Sequence, residues 1–229
     1  MRILLTAATT FEVAPTVSWL REQAGRTEAN VLYFDKVEIE VLFTGVGLTA
    51  TSFALGHRFG SSALPQLAIQ AGVGGAIDRS LQLGEVVQIS TETFGDLGAE
   101  DASGQPLTLS DIGLPPGPPF SEDGRLEPGT GPQLPFRSCA GLTVNQVSGN
   151  AETIKKRTAL FPHAQVESME GAAFFYACQQ AGVEPLQLRA ISNYVTPRNR
   201  EAWRMGEAIQ ALNQALELLL QPFIQEEAD

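Results

Sequence analysis

Apolar and polar positions along this chain follow two rhythms, one of strands and one of helices. Residues 2–8 form a short, nearly continuous apolar run, which predicts a buried strand broken at Thr9-Thr10. From Phe11 to Ala24, Val13, Val17 and Leu20 recur every three or four positions, predicting a helix with Thr10 as its N-cap and Gly25 as its stop. Val31–Phe34 and Val37–Phe43 predict paired strands turning at Asp35-Lys36, the second alternating Val37, Ile39, Val41 and Phe43 on one face. Thr44-Gly45-Val46-Gly47 then leads into an Ala/Leu-rich helix ending near His57. A strand at Leu67–Gln70, a Gly-rich turn at 72–75 and a strand at Glu85–Thr91 come next.

Residues 104–135 break the rhythm, since 14 of these 32 positions are Gly or Pro, and the expectation there is a long irregular insertion. The alternation resumes with a strand around Gly141–Val147, a helix from Glu152 and a strand before Glu167. A helix at Glu170–Gln180, a strand at Leu186–Ser192 and a terminal helix from about Glu201 to Leu220 complete it. Alternating strands and helices predict an α/β sheet with crossovers, and the unbroken pattern on both sides of the insertion predicts one domain over 1–229.

Composition narrows the function. The 229 residues are 43% hydrophobic and 18% charged, and no apolar run approaches the ~20 residues of a membrane span. The net charge of -11 repels phosphate backbones and anionic lipid, which argues against nucleic-acid and membrane partners. Cys139 and Cys178 lie far apart with no C-x-x-C spacing, and His57 and His163 are the only histidines, which argues against a zinc site; no organic cofactor is expected either. The apolar start is too short for a signal-peptide core, so a cytoplasmic chain with free thiols is expected.

Several motifs are candidates for chemistry. Gly45-Val46-Gly47-Leu48-Thr49-Ala50 fits the G-x-G-x-x-A dinucleotide pattern, but Pro65–Gln70 lacks the carboxylate that would hold a ribose, and a tight strand-to-helix turn accounts for the glycines. The turn at Gly72 and Gly74 lets backbone N–H groups approach a ligand. Val166-Glu167-Ser168-Met169-Glu170 delivers two carboxylates to the start of a small-residue helix, where they act as caps or as ligands. Arg189-Ala190-Ile191-Ser192-Asn193 ends a strand in polar residues. Ligands of parallel sheets sit beyond strand carboxyl ends, and four such ends, at Thr10–Glu12, Gly45–Gly47, Gly72–Gly75 and Ser192-Asn193, converge on one crevice in this reading.

In this order the motifs resemble the purine nucleoside phosphorylase and nucleosidase superfamily, and within it the futalosine hydrolase branch. Phe94-Gly95-Asp96-Leu97-Gly98, Met169–Tyr176 and Ser192–Arg200 carry that closer likeness, which fades only in the Pro/Gly insertion. The resemblance implies a three-layer nucleoside-phosphorylase-like fold with a central mixed sheet flanked by helices. It also implies a purine nucleoside substrate whose bond between base and sugar is cut by water, and a homodimer or larger assembly. Glu12 matches the carboxylate that deprotonates the water, Glu170 the acceptor of ribose hydroxyls, and Met169 the residue packed on the sugar; the extra Ser168 makes Glu167 the weaker match of the two carboxylates. Gly72, Gly74 and Ser192 are expected to line the substrate. Asn193 stands where methylthioadenosine nucleosidases place Asp, and an amide can donate to the O6 or N7 of a 6-oxopurine. Thr6–Pro15 and Ile69-Gln70 hold no cation for a phosphate, which favours hydrolysis over phosphorolysis. Futalosine bears a benzoate, and Arg198 or Arg200 is expected to pair with it. An adenine-releasing nucleosidase and a noncatalytic nucleoside-binding module are the alternatives.

Overall fold

The computed structural model describes residues 1–129 and 134–225. In chain order the elements are β1 (Arg2–Ala7), α1 (Thr10–Gln23), β2 (Arg26–Glu28), β3 (Val31–Tyr33), β4 (Glu38–Phe43), α2 (Leu48–Ser61), β5 (Leu67–Ala76) and β6 (Val86–Phe94). They continue with β7 (Gly98–Glu100), β8 (Pro106–Thr108), β9 (Arg137–Thr143), α3 (Ala151–Leu160), β10 (Val166–Ser168), α4 (Gly171–Ala181), β11 (Glu184–Tyr194), a 3-10 turn (Arg200–Ala202) and α5 (Met205–Ile224).

A mixed nine-stranded sheet in the order β10-β9-β6-β11-β5-β1-β4-β3-β2 forms the centre. β1 runs parallel to both β4 and β5, and β11 parallel to β5, whereas β6 is antiparallel to β11. β10 pairs with β9 and also, antiparallel, with β5, so the strands from β5 through β10 curl into a closed ring. Helices cover both faces. Ile3, Leu5 and Ala7 of β1 point into a core shared with α1 and α5, while Leu4 points the other way, into a core with Leu55 of α2 and Phe174 and Cys178 of α4. The period-2 pleat explains why so short an apolar run has no polar face. This is the three-layer arrangement with a central mixed sheet.

Several predicted boundaries move. Helix α1 is capped by Thr9, not Thr10, because Glu12 reaches back to the Thr9 amide. Gly72–Gly75 is no turn: β5 runs straight through it to Ala76. β9 spans Arg137–Thr143 and not Gly141–Val147, and the terminal helix starts at Met205. The insertion is partly ordered by pairing: β7 and β8 form a small hairpin, and Leu126, fully buried, bridges by backbone to Glu92. Phe120 packs its ring against Phe94 and Tyr176. Residues 130–133 of the insertion lie outside the described residues.

Candidate active site

Glu12 enters the site from the first turn of α1. It is 8% exposed, and its carboxylate is fixed from two sides. Oε2 accepts the Thr9 amide at 3.0 Å and the Thr9 hydroxyl at 3.2 Å, the returning half of a capping box, while Oε1 accepts the Val73 amide at 3.3 Å. The backbone beneath it is anchored too. Asn213 of α5 donates through Nδ2 to the Glu12 carbonyl (2.8 Å) and accepts through Oδ1 from the Thr16 amide (2.9 Å), clamping the two groups that an α-helical bond would pair in this turn.

Glu170, 5% exposed, enters from the opposite side, at the residue preceding α4. Its Oε1 accepts the Gly47 amide at 3.0 Å. Gly47 is the N-cap of α2 with φ +92°, so a left-handed glycine turns the positive end of α2 toward this carboxylate.

Arg189 of β11 pairs with Glu170 and shares the space over Gly72 with Glu12. It is 2% exposed, Nη2 donates to Gln70 Oε1 at 2.8 Å, and Nη1 stands 3.5 Å from Glu170 Oε2. A Cβ on Gly72 would collide with Arg189 Nη1 and lie 2.9 Å from Glu12 Oε1. One on Gly74 would lie 2.7 Å from Val166. The glycines of β5 are therefore required by the protein's own side chains, which cross the strand where any larger residue would displace them. The cation beside Glu170 offsets part of the repulsion between the two buried acids.

Ser192 and Asn193 lie further along the same strand. The register of β11 against β5 slips between Ile191 and Asn193, leaving Ser192 as the extra residue of a bulge that re-aims Asn193 and Tyr194. Ser192 Oγ lies 3.2 Å from the Gly74 carbonyl and 2.9 Å from Asn193 Oδ1. Asn193 Nδ2 donates to the Tyr194 carbonyl at 3.1 Å, which fixes the amide's orientation, because that carbonyl can only accept. One amide hydrogen and one oxygen lone pair of Asn193 remain for a ligand.

The four segments expected to converge thus do so, with Met169, half-buried, beside Glu170. Glu167 does not join them: it accepts from the Ser148 amide (2.8 Å) and hydroxyl (2.5 Å) with Arg157 3.6 Å away, ordering the loop before α3. Arg198 and Arg200 stand exposed beyond β11 and, among the described residues, form no hydrogen bond or ion pair with the cluster. The Arg198 amide donates to the Gly149 carbonyl at 3.0 Å, and its guanidinium lies 5.7 Å over the Trp203 ring. Phe174 and Phe175 are core, and His57 is exposed and stacked on Phe53. Cys139 and Cys178 are buried and unpaired, and burial pushes both thiols up, Cys139 to about 11. Among the described residues no group of three His, Cys, Asp or Glu side chains is placed to hold a metal ion, and no helix is long and apolar enough to cross a membrane.

Sequence inspection misses Arg189, Asn213 and the buried Glu92 as members of this region. Arg189 and Asn213 are polar residues among apolar neighbours, and that is the signal that could have found them, whereas Glu92 sits in the polar run Ser90–Thr93 and carries no such signal.

Comparison with known proteins places the family and the fold. The model of the phosphorylase superfamily matches residues 2–225. The futalosine hydrolase of Streptomyces coelicolor (strain ATCC BAA-471 / A3(2) / M145) is 34% identical over 190 residues, covering 77% of this chain and 76% of that protein. The native structure of futalosine hydrolase from Helicobacter pylori strain 26695 aligns with a TM-score of 0.76 at 16% identity, over 97% of this chain and 98% of that one. A 5'-methylthioadenosine/S-adenosylhomocysteine nucleosidase from Colwellia psychrerythraea 34H, in complex with adenine, aligns with a TM-score of 0.75 at 19% identity, over 96% and 95%. At these identities the two structural likenesses are likenesses of fold.

Proposed function

The chain belongs to the phosphorylase superfamily and, within it, to the futalosine hydrolases, and from that premise we propose that it cleaves the bond between base and sugar in futalosine with water. The products are hypoxanthine and dehypoxanthine futalosine, a step of menaquinone biosynthesis. The observation that carries the chemistry is the pair of buried carboxylates, Glu12 and Glu170, with Arg189 paired to Glu170 and sharing the space over Gly72 with Glu12.

As the bond stretches, positive charge grows on the ribose and negative charge on the base. Glu12 takes the proton of the attacking water: two amides and a hydroxyl hold its carboxylate, and the contact on Oε1 is the longest of these, at 3.3 Å, leaving that oxygen the freer acceptor. Glu170 accepts the ribose hydroxyls, and Met169 packs on the sugar. Both acids place negative charge where the ribose becomes cationic. Asn193 directs its remaining amide hydrogen to the leaving hypoxanthine, with Ser192, Gly72 and Gly74 shaping the wall behind it.

Water is the nucleophile in this reading. Among the described residues, Arg189 is the cation in the cluster, and its two terminal nitrogens face Gln70 and Glu170. Arg198 or Arg200, exposed at the rim, pairs with the benzoate. Phe11, Val46 and Phe53, from 56% to 75% exposed, lie on the elements that carry Glu12 and Gly47, and a second copy of the chain covers them in a homodimer. The buried free thiols accord with a cytoplasmic enzyme.

The test is incubation of the purified protein with futalosine, inosine and methylthioadenosine, each with and without phosphate. Hypoxanthine release from futalosine at a phosphate-independent rate is expected. Faster release of adenine from methylthioadenosine, or an absolute need for phosphate, overturns the proposal.

A further inference from the structure

Glu170 occupies a position from which an acidic side chain ordinarily turns back onto its own helix. A capping acid there accepts the amide of the second or third helical residue. Glu170 makes no such bond, and its carboxylate extends away to Gly47 and Arg189. The amide it forgoes still has a partner. Ala172 N–H, the second of α4, donates to Thr143 Oγ1 of β9 at 2.8 Å. The Thr143 hydroxyl donates in turn to Glu92 Oε2 of β6 at 2.8 Å, and Glu92 Oε1 accepts from Gln187 Nε2 of β11 at 2.7 Å.

Glu92, Thr143 and Gln187 are each fully buried, with 0% exposure. Two glycines keep the space for the carboxylate: a Cβ on Gly141 would lie 2.5 Å from Glu92 Oε1, and one on Gly171 would overlap the same oxygen. Burial pushes the Glu92 carboxyl up to about 7, against the hydrogen bonds from Gln187 and Thr143 and the charge of Arg189. Its carboxylate is bonded to Thr143 and Gln187 and not to Glu12 or Glu170.

We propose that Glu92, acting through Thr143, is a positioning residue for Glu170. The pair caps α4 from the neighbouring strands, which leaves the Glu170 carboxylate free to reach the sugar. In role it deepens the reading of Glu170 as the ribose-binding acid and rests on it; in geometry it stands by itself.

Thr143→Val removes the hydroxyl at nearly constant shape, and Thr143→Ser keeps it. In crystals of Thr143→Val, Glu170 is expected to fold back onto the Ala172 amide and lose the 3.0 Å bond to Gly47. KM for futalosine should rise about tenfold with a smaller change in kcat, and Thr143→Ser should restore both. Adding Thr143→Val to Glu170→Gln should cost no further activity, because the first acts through the second. Should Thr143→Val fail to fold, Thr143→Ala, which also removes the hydroxyl, carries the same expectation. A Glu170–Gly47 bond retained in the variant crystals, or losses that multiply in the double variant, overturns the proposal. If the native protein releases no base from futalosine, the substrate assignment falls, and the position of Glu170 in the crystals still decides the capping role.

Discussion

Replacing Asn193 by Asp tests how the site chooses its base. In the native chain Nδ2 donates to the Tyr194 carbonyl at 3.1 Å and keeps a second hydrogen for the O6 or N7 of hypoxanthine. An aspartate puts an oxygen in that place, with lone pairs facing both the Tyr194 carbonyl and the purine O6. Each mismatch of a buried polar pair costs roughly 1–3 kcal/mol, or about 5- to 150-fold in kcat/KM. For a 6-aminopurine the same oxygen accepts the exocyclic amine, and the penalty becomes a gain. The ratio of kcat/KM for futalosine to that for its 6-amino analogue should therefore fall at least about tenfold. Separation of the released bases by chromatography reads both rates, and thermal unfolding confirms that the variant is folded. An unchanged ratio in a folded variant refutes the assignment of Asn193 to the base.

Three other outcomes are expected. Glu12→Gln keeps the size of the side chain and removes the proton acceptor, so kcat should fall by about 100-fold or more with KM little changed, and a loss below tenfold would remove Glu12 from the chemistry. The Glu92 carboxyl is raised from 4.5 to about 7, so it favours the folded state when protonated; that contribution is complete below 4.5 and is lost as pH rises through about 7. Denaturant unfolding of Glu92→Gln should gain roughly 3 kcal/mol on the native protein between pH 4.5 and pH 8, and a constant difference across that range rejects the shift. Arg198→Gln and Arg200→Gln, compared one at a time, should show which of the two raises KM for futalosine more than for inosine; equal changes with both substrates in both variants would free the benzoate from these arginines.

The strands and helices are legible wherever an apolar period runs unbroken, as in β1, α1 and the β3–β4 hairpin. Gly72–Gly75 misleads because glycine commonly signals a bend, whereas here it signals crowding: Arg189, Glu12, Val166 and Asn193 all press on β5 from other elements. That crowding is a tertiary fact with no local trace. Motif order points to Glu12, Glu170 and Asn193, and the structure brings their segments together. Closeness in sequence groups Arg189 with Arg198, Arg200 and Arg204, yet it alone lies inside the apolar run Leu186–Ile191. A charge within a buried strand must be paired, and that rule, applied to Arg189 and to Glu92, separates them from arginines at the surface.

Glu12 and Glu170 show why motif and mechanism are hard to tell apart at a helix start. Both acids sit where the positive end of a helix stabilises a carboxylate, and a purely structural cap would have the same residue type at the same place. Glu12 serves both ends at once: one oxygen returns to the Thr9 amide and the other faces Val73 and the crevice. Glu170 cannot divide itself in this way, because one oxygen is held by Gly47 and the other faces Arg189. Its helix is capped instead by Thr143, from another strand. Glu170 is thus available to a substrate because another side chain satisfies the Ala172 amide behind it, and that residue lies far away in sequence.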